Sequence, residues 1–461
     1  ILKRFRGSDE APDAMAGGLL KDLVWAKYLP NKTVPLSLAN GLTVILRKYE
    51  RLFSAAEHSE HRERLTSWLL DASSTEIEYT LAPPMADEAL ASFMYEEMRG
   101  RIDWDPRLQA KPEERDLRLF IAIHKILLKS NIPTLRFRVL TLYYPLWAGT
   151  ETPEDLVDQV SANLPTVIAT IEREIAHPMT ERLSRLLRRR AGIFRVLREA
   201  LDRDHAASGD LLTDPAALDS AVSSALRHRT QDFKVRLRRT VVRAVAFLFI
   251  TKMLLALIIE IPYDLLFSDS VPIYPLLVNI FFHPFFLALI SLTVVIPEKK
   301  NTEDYIAAVR ALAVGADHPL LHLRVKHEVR SAWSDVFTVL YVILFVAVYS
   351  AIGSLLHTLG FHWLSIALFL FFLSLVTFFG IRIRSSVRDI VASDARSGII
   401  GTAFDMLMLP IVRAGSWLSN RVAKINVFIY FFDFIIEAPL KVAIEFVESW
   451  LTFVREKKEE I

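Results

Sequence analysis

Four polar side chains interrupt apolar runs that are long enough to cross a bilayer. The first run carries Lys252 and Glu260, and the second carries Asn279 and His283. A charge at bilayer depth costs about 2.5 kcal/mol or more, so such groups should be paired, neutralised or hydrated. Imidazole and carboxylate exchange protons, and burial favours the neutral form of a carboxyl group. These four residues are therefore a candidate proton- or ion-binding site.

The order of these residues along the chain predicts that they meet. Spans joined by a short connection are usually neighbours. If the first span runs outward and the second returns, Glu260 and Asn279 reach similar depths, and His283 lies slightly deeper. Pro284 should free a carbonyl oxygen beside that histidine. The alternative is structural: Lys252 pairs or extends to an interface, the glutamate reaches the outer headgroups, and the histidine bonds a helix carbonyl.

Four apolar runs have the roughly twenty residues that a membrane-spanning helix needs. They predict a transmembrane domain over residues 236–383, with a cytoplasmic loop over residues 298–334 between the second and third runs. The runs cover residues 241–267, 272–297, 335–360 and 361–381.

Basic residues are distributed unevenly around these runs. They cluster before the first run, between the second and third, and after the fourth, whereas the other two connections contain no lysine or arginine. By the positive-inside rule, both termini face the cytoplasm. The expected location is the plasma (inner) membrane.

The basic residues nearest the first run are candidate contacts for anionic lipid headgroups of the inner leaflet: Arg236, Arg238, Arg239 and Arg243.

Residues 1–235 predict a soluble helical cytoplasmic domain. No apolar stretch there could cross a bilayer, and the apolar residues recur at helical spacing. One clear case is ERDLRLFIAIHKILLKS, residues 114–130, which lies between two prolines. Strand-like alternation is scarce, so the fold class is all-α. Further helices are expected at residues 17–29, 36–57, 60–73, 86–99, 134–147, 154–176, 179–203 and 214–240.

Residues 384–461 carry two apolar stretches interrupted by charge. In residues 401–418, an aspartate, a proline and an arginine favour an interfacial or re-entrant helix over a fifth span. In residues 425–454, five charged residues recur at steps of four, four, four and three, which places them on one helical face. Both stretches predict amphipathic helices at the cytoplasmic face. The alternative for the second is an acidic stripe that lines an aqueous path.

The cytoplasmic loop contains three histidines in the sequence DHPLLHLRVKHE, residues 317–328. His318 and His322 would share one face of a helix, a spacing that metal ligands can have. However, Pro319 disfavours a helix at the first histidine, and no HExxH pattern is present. We expect no metal site here and interpret the segment as a membrane-proximal amphipathic helix.

Composition and missing motifs exclude several classes of function. Cysteine is absent, which excludes disulfides, thiolate nucleophiles and cysteine-ligated metals. The sequence shows no phosphate-binding glycine loop, dinucleotide fingerprint or nucleophile turn, so an enzyme is not expected and no cofactor is predicted. The arginine-rich segment 181–199 lacks the signature of a nucleic-acid-binding fold. Anionic lipid or solvent explains its charge more simply than nucleic acid does.

Two functions are the main candidates, and an enzyme that acts on lipid, with Glu260 and His283 as acid and base, is a distant third because no nucleophile or metal set accompanies them. The first is a non-enzymatic polytopic membrane protein that holds a helical scaffold or partner-binding domain at the inner membrane face. The large helical amino-terminal portion and the missing catalytic signatures favour it. The second is a proton- or ion-coupled transporter or channel that uses the polar residues of the first two spans. Four spans are few to enclose a path, so this function would require a homo-oligomer.

Overall fold

A computed structural model describes most of the chain. Its described residues are almost entirely α-helical, which confirms the predicted fold class, and they contain two three-residue strands. The Cα positions divide the chain into two compact units, residues 1–228 with 298–327, and residues 229–297 with 328–461. The described residues are 12–29, 36–57, 59–106, 108, 110–149, 151–203, 214–267, 272–292, 294, 298–315, 321–323, 332–386 and 408–419.

The elements follow one another along the chain as helices with short connections. In chain order they are α1 (Pro12–Trp25), α2 (Leu36–Glu57), α3 (Arg62–Leu81), α4 (Met85–Arg99), β1 (Ile102–Trp104), α5 (Pro112–Ile123), α6 (Ile132–Tyr143), α7 (Glu154–Ala162), α8 (Leu164–Ile175), α9 (Pro178–Arg203), α10 (Pro215–Leu255), α11 (Ile261–Phe267), α12 (Ile273–Leu292), α13 (Glu298–Val314), β2 (Leu321–Leu323), α14 (Ala332–Thr358), α15 (Trp363–Ser386) and α16 (408–419). Two π-helical turns, His124–Leu128 and Ala256–Glu260, follow α5 and α10.

The core of the first unit is built on one face of α2. Leu42, Ile45, Tyr49 and Leu52 recur at steps of three and four residues, and each is at most 1% exposed. That spacing forms a single apolar stripe on a helix. The stripe packs against α3 and against Trp147, which is fully buried. The first unit therefore has its own hydrophobic core.

Several helices of the first unit differ from the expected bounds, and the reason is clear for two of them. The helix predicted at residues 60–73 extends to residue 81, because the hydroxyls of Ser73 and Thr75 bond to carbonyl oxygens of their own helix and so do not end it. The helix predicted at residues 154–176 is divided at Asn163. Pro165 explains the division, because it has no N–H for the preceding turn.

The loop after the second span contains a helix and a strand. α13 pairs with the start of α10 through Arg310, whose Nε lies 2.7 Å from Oδ1 of Asp219. β2 pairs in parallel with β1, and Asp103 is opposite His322. The amphipathic helix predicted at residues 317–328 is therefore wrong at residues 321–323, where pairing with a distant strand overrides local pattern. His318 and His327 lie outside the described residues.

Within the described residues, four helices are long and apolar enough to span a membrane, which confirms the predicted number and indicates an integral membrane protein. We call them the first to fourth spans: Pro215–Phe267, Ile273–Leu292, Thr338–Thr358 and Trp363–Arg384. α12 packs on α15 through Leu287, Phe372 and Val376. The fourth span is half buried, whereas the third is almost wholly exposed, with Leu340 and Ile343 among its exposed side chains.

Only part of the carboxyl-terminal prediction falls on described residues. α16 covers residues 408–419, and Ile411 packs in a cluster with Leu373 of the fourth span. The described residues of α16 extend about 18 Å along the helix axis. Residues 401–407 and the predicted helix at residues 425–454 lie outside the described part of the chain.

Candidate functional site

The first span places Lys252 and Glu260 two turns apart on one side of the helix. Between them the backbone widens into the π-helical turn, in which the N–H of Ile261 donates to the carbonyl oxygen of Ala256, five residues back. Pro262 follows and cannot donate the regular α-helical bond. The wider turn makes room for its ring, and π-helical turns occur often at functional sites.

The second span contributes Asn279 and His283, four residues apart and therefore on one helical face. Both side chains are fully buried. The Nζ of Lys252 donates to Oδ1 of Asn279 at 2.7 Å. The Nδ2 of the same amide donates to Oε1 of Glu260 at 2.6 Å. One asparagine thus joins a lysine and a glutamate, and the structure brings together all four residues selected from the sequence, which we call the buried array.

The orientation of the Asn279 amide follows from the charges on either side of it. Its carbonyl oxygen can only accept, and its nitrogen can only donate. The oxygen must therefore face the ammonium group of Lys252, and the nitrogen must face the carboxylate of Glu260. Each charged residue is 1% exposed. Because removing either partner would leave a charge buried without compensation, the array holds the two spans in one register.

The fourth span completes the array with residues that the sequence did not indicate. The Oγ of Ser365 lies 3.5 Å from Oε2 of Glu260. The Nζ of Lys252 lies 4.2 Å from the ring centroid of Phe372, which is a cation–π contact. A serine in an apolar run was a weak signal that could have been noticed. A phenylalanine in such a run carries no signal.

His283 has backbone carbonyl oxygens beside both ring nitrogens. Nδ1 lies 3.2 Å from the oxygen of Asn279, and Nε2 lies 3.0 Å from the oxygen of Phe369 in the fourth span. A carbonyl oxygen accepts but does not donate, and a neutral imidazole carries one N–H. The neutral ring can therefore satisfy one of the two contacts, and the protonated ring can satisfy both. This geometry can hold an additional proton.

A second carboxylate in the first span lies outside the array. Asp264 is 2% exposed, and its Oδ1 has no hydrogen-bond partner among the described residues. The Nε2 of His362 lies 3.9 Å from that oxygen. Asp264 therefore provides a matched comparison for Glu260, because both are buried carboxylates on the same span.

The lipid-headgroup candidates lie on α10, before and at the start of the apolar part of the first span. All four side chains are exposed: Arg236, Arg238, Arg239 and Arg243. The Nε of Arg236 donates to the carbonyl oxygen of Asp232 in its own helix, at 3.4 Å. Among the described residues, no group of three or more histidine, aspartate or glutamate side chains is arranged to hold a metal ion.

The first unit contains a buried ion pair that the sequence did not indicate. Lys48 Nζ donates to Glu76 at 2.5 Å and to the carbonyl oxygen of Trp147 at 2.7 Å. The Tyr49 hydroxyl donates to the other oxygen of Glu76 at 3.0 Å. Burial lowers the pKa of Lys48 and raises the pKa of Glu76, while their mutual attraction opposes both shifts. Every polar atom of the pair has a partner, so this cluster ties α2, α3 and the chain after α6 together.

The first unit also contains a groove of about 730 Å³ beside α4, α5 and α8. Its floor includes Leu117 and Phe120. Arg99 pairs with one of its acids at 2.6 Å, and Arg118 pairs with another at 3.0 Å. The groove carries one base, Arg173, and five acidic residues: Glu96, Glu113, Glu114, Asp116 and Glu174.

Comparisons with known proteins found no family model, no curated protein and no solved structure that matches this chain. The residues of the two candidate sites are therefore interpreted from their geometry and chemistry.

Proposed function

We propose that this protein is a proton-coupled transporter or channel in which the buried array binds and releases a proton at bilayer depth. The observation that carries the proposal is the bridge from Lys252 through Asn279 to Glu260, with all three side chains at most 1% exposed. Ionisable residues inside a membrane domain are costly and generally serve function.

The array can change its proton content by one with little rearrangement. With Lys252 charged and Glu260 ionised, the formal charges cancel. Uptake of one proton by the carboxylate leaves a single positive charge, and the Asn279 amide can still join the two residues. Such a site is suited to alternate between two protonation states because both states keep a hydrogen-bonded bridge.

His283 gives the array a second position for a proton. Its ring lies between the second and fourth spans and contacts carbonyl oxygens of both. Protonation of the ring adds a hydrogen to the nitrogen that carries none in the neutral form. That nitrogen can then donate to the carbonyl oxygen beside it. We therefore expect a proton to pass between His283 and the carboxylate of Glu260 during transport.

The proposal includes the membrane and the assembly. The distribution of lysine and arginine supports cytoplasmic termini, and the plasma (inner) membrane is the expected host. The exposed arginines of α10, including Arg239 and Arg243, are suited to bind anionic lipid of the inner leaflet. Since four spans are few to enclose a path, we propose a homo-oligomer as the transporting form.

Glu260→Gln tests the proposal because glutamine retains an oxygen that accepts from Nδ2 of Asn279 but cannot ionise. The full chain is reconstituted into liposomes that contain a pH-sensitive dye, and proton flux is driven by a potassium diffusion potential. We expect wild-type flux above that of protein-free liposomes and at least a tenfold loss in Glu260→Gln. Asp264→Asn is the matched control and should retain the flux.

Two results would contradict the proposal. Wild-type flux equal to that of protein-free liposomes would exclude proton transport by the chain. Equal flux in wild type and Glu260→Gln would exclude the array as its site.

The groove of the first unit supports a second candidate function, in which the helical cytoplasmic portion binds a partner at the membrane surface. Glu96 and Glu113 are exposed at the groove and form no ion pair within the described residues. Two exposed carboxylates beside the apolar side chains of Leu117 and Phe120 are suited to a cationic amphipathic helix.

A labelled lysine–leucine amphipathic peptide tests this second function. Binding to the full chain in nanodiscs of zwitterionic lipid is measured by fluorescence anisotropy. We expect the double variant Glu96→Lys with Glu113→Lys to lose binding at least fivefold. The control double variant, Glu60→Lys with Glu63→Lys, makes the same charge change on an exposed surface outside the groove and should bind as wild type does. Equal losses in both double variants would exclude the groove.

A further inference from the structure

A second groove lies within the membrane unit, where α16 packs beside the third and fourth spans. α16 approaches the fourth span closely because Gly415 has no Cβ: a Cβ there would overlap the backbone carbonyl oxygen of Ser374. This approach leaves a groove of about 570 Å³ beside the contact. Its lining is Tyr341, Phe345, Tyr349, Leu370, Phe371, Ser374, Arg413, Ala414, Trp417 and Leu418.

The deep end of the groove is apolar and has no unmet polar group. The hydroxyls of Tyr349 and Ser374 lie 2.6 Å apart, and Ser374 Oγ donates to the carbonyl oxygen of Leu370 at 2.7 Å. The remaining walls are aliphatic and aromatic. An occupant of this part does not need hydrogen-bonding groups, and a hydrocarbon chain satisfies that condition.

The other end of the groove carries one positive charge. Of the described residues that line it, Arg413 is the charged one, and its guanidinium carbon lies 4.9 Å from the ring centroid of Tyr341. Stacking on a ring leaves the N–H edge of a guanidinium free for an anion, and the fork of donors fits a phosphate. This end is therefore suited to a phosphate or carboxylate group.

The two ends of the groove lie at different positions along the third span. Tyr341, beside Arg413, and Tyr349, at the apolar end, are eight residues apart, or about 12 Å along the helix. That separation suits a phospholipid, whose phosphate lies at the edge of the hydrocarbon core while its acyl chains extend into it.

We propose that this groove binds an anionic phospholipid, with the headgroup phosphate at Arg413 and one acyl chain along the aromatic wall formed by Tyr341, Phe345 and Phe371. The site differs from the exposed arginines of α10, because it encloses a chain as well as a headgroup. It is independent of the proton-transport proposal, since none of its lining residues belongs to the buried array.

Trp417 lines the groove and provides an intrinsic reporter. The full chain is reconstituted into phosphatidylcholine vesicles that contain phosphatidylglycerol, with bromine on the acyl chains of one lipid or the other. The contribution of Trp417 is obtained by subtracting the quenching of Trp417→Phe. At equal mole fraction, we expect brominated phosphatidylglycerol to quench Trp417 about five times more effectively than brominated phosphatidylcholine. One basic residue near anionic headgroups contributes about 1 kcal/mol, which corresponds to about a fivefold preference in lipid binding.

Three arginine variants test the origin of the preference. Arg413→Gln should bring the quenching ratio close to one, and Arg413→Lys should restore part of the preference because it retains the charge. Arg384→Gln removes a charge from the end of the fourth span outside the groove and should leave the ratio unchanged. A wild-type ratio near one, or an unchanged ratio in Arg413→Gln, would overturn the proposal.

Discussion

Asn279 and Lys252 face each other across the first two spans, with 2.7 Å between Oδ1 and Nζ and no more than 1% of either side chain exposed. The same amide reaches Glu260, so one uncharged side chain satisfies two opposite charges. Asn279 therefore contributes both to the stability of the membrane unit and to any proton chemistry of the array.

Asn279→Leu should destabilise the membrane unit by about 3–5 kcal/mol, because a side chain of similar volume leaves Lys252 and Glu260 buried without their bridge. The free energy of unfolding is measured in detergent micelles by titration with a denaturing detergent. Phe285→Leu is the control on the same span, where 67% of the side chain is exposed, and it should cost less than about 1 kcal/mol. A loss below about 1 kcal/mol in Asn279→Leu would show that the bridge does not hold the spans.

Lys48→Met should destabilise the first unit by about 3–5 kcal/mol, because it leaves Glu76 buried beside Tyr49 without a countercharge. Arg51→Met is the matched control one turn along α2. Its ion pair with Glu154 is solvent-exposed, and such pairs contribute about 0–1 kcal/mol. The free energy of unfolding of the full chain in urea is measured for both. Similar losses in the two variants would contradict the interpretation of Lys48 as a core residue.

Acid should destabilise the first unit through His124, which is 1% exposed and packs against Phe120 with ring centroids 4.2 Å apart. Neither ring nitrogen has a hydrogen-bond partner among the described residues, and burial lowers the pKa of His124 to about 3. The unfolded chain therefore binds more protons between pH 3 and pH 6.5. This contribution to stability is present above pH 6.5 and is lost as pH falls, by up to about 1.4 kcal/mol per pH unit.

His124→Leu should remove this part of the pH dependence, because leucine fills the same buried space without a group that titrates. The melting temperature of the full chain is measured from pH 7 to pH 4. His228→Leu is the control: this histidine is in the same unit, and 54% of its side chain is exposed. An equally steep acid loss in His124→Leu and wild type would exclude His124 as the cause.

Gly415→Ala should displace α16 from the fourth span, because the new Cβ would overlap backbone atoms of Ser374 that cannot move alone. Gly353→Ala in the third span is the matched control. The nearest atom to its Cβ would be a side-chain carbon of Ile366 at 3.8 Å, which is ordinary contact. We expect faster proteolysis near α16 and a lower melting temperature in Gly415→Ala, and neither change in Gly353→Ala. Equal behaviour of the two variants would contradict the close approach.

Sequence patterns were sufficient to select the buried array but not to complete it. Lys252 and Glu260 were noticeable because charge is rare in a span-length apolar run. Ser365 and Phe372 were not, since their role depends on which face of the fourth span meets the first. In the first unit, the sequence does not indicate that Lys48 is buried, because its partner Trp147 is 99 residues away.

By itself, the sequence determined the helical class, the four spans and the candidate polar residues of the first two spans. These depend on periodicity and hydrophobic length, which are properties of contiguous residues. Only the tertiary structure decided the direction of the Asn279 amide, the pairing of β1 with β2 and the groove at Arg413. Each of these depends on contacts between elements far apart in the chain, as between Asp103 and His322, which are 219 residues apart.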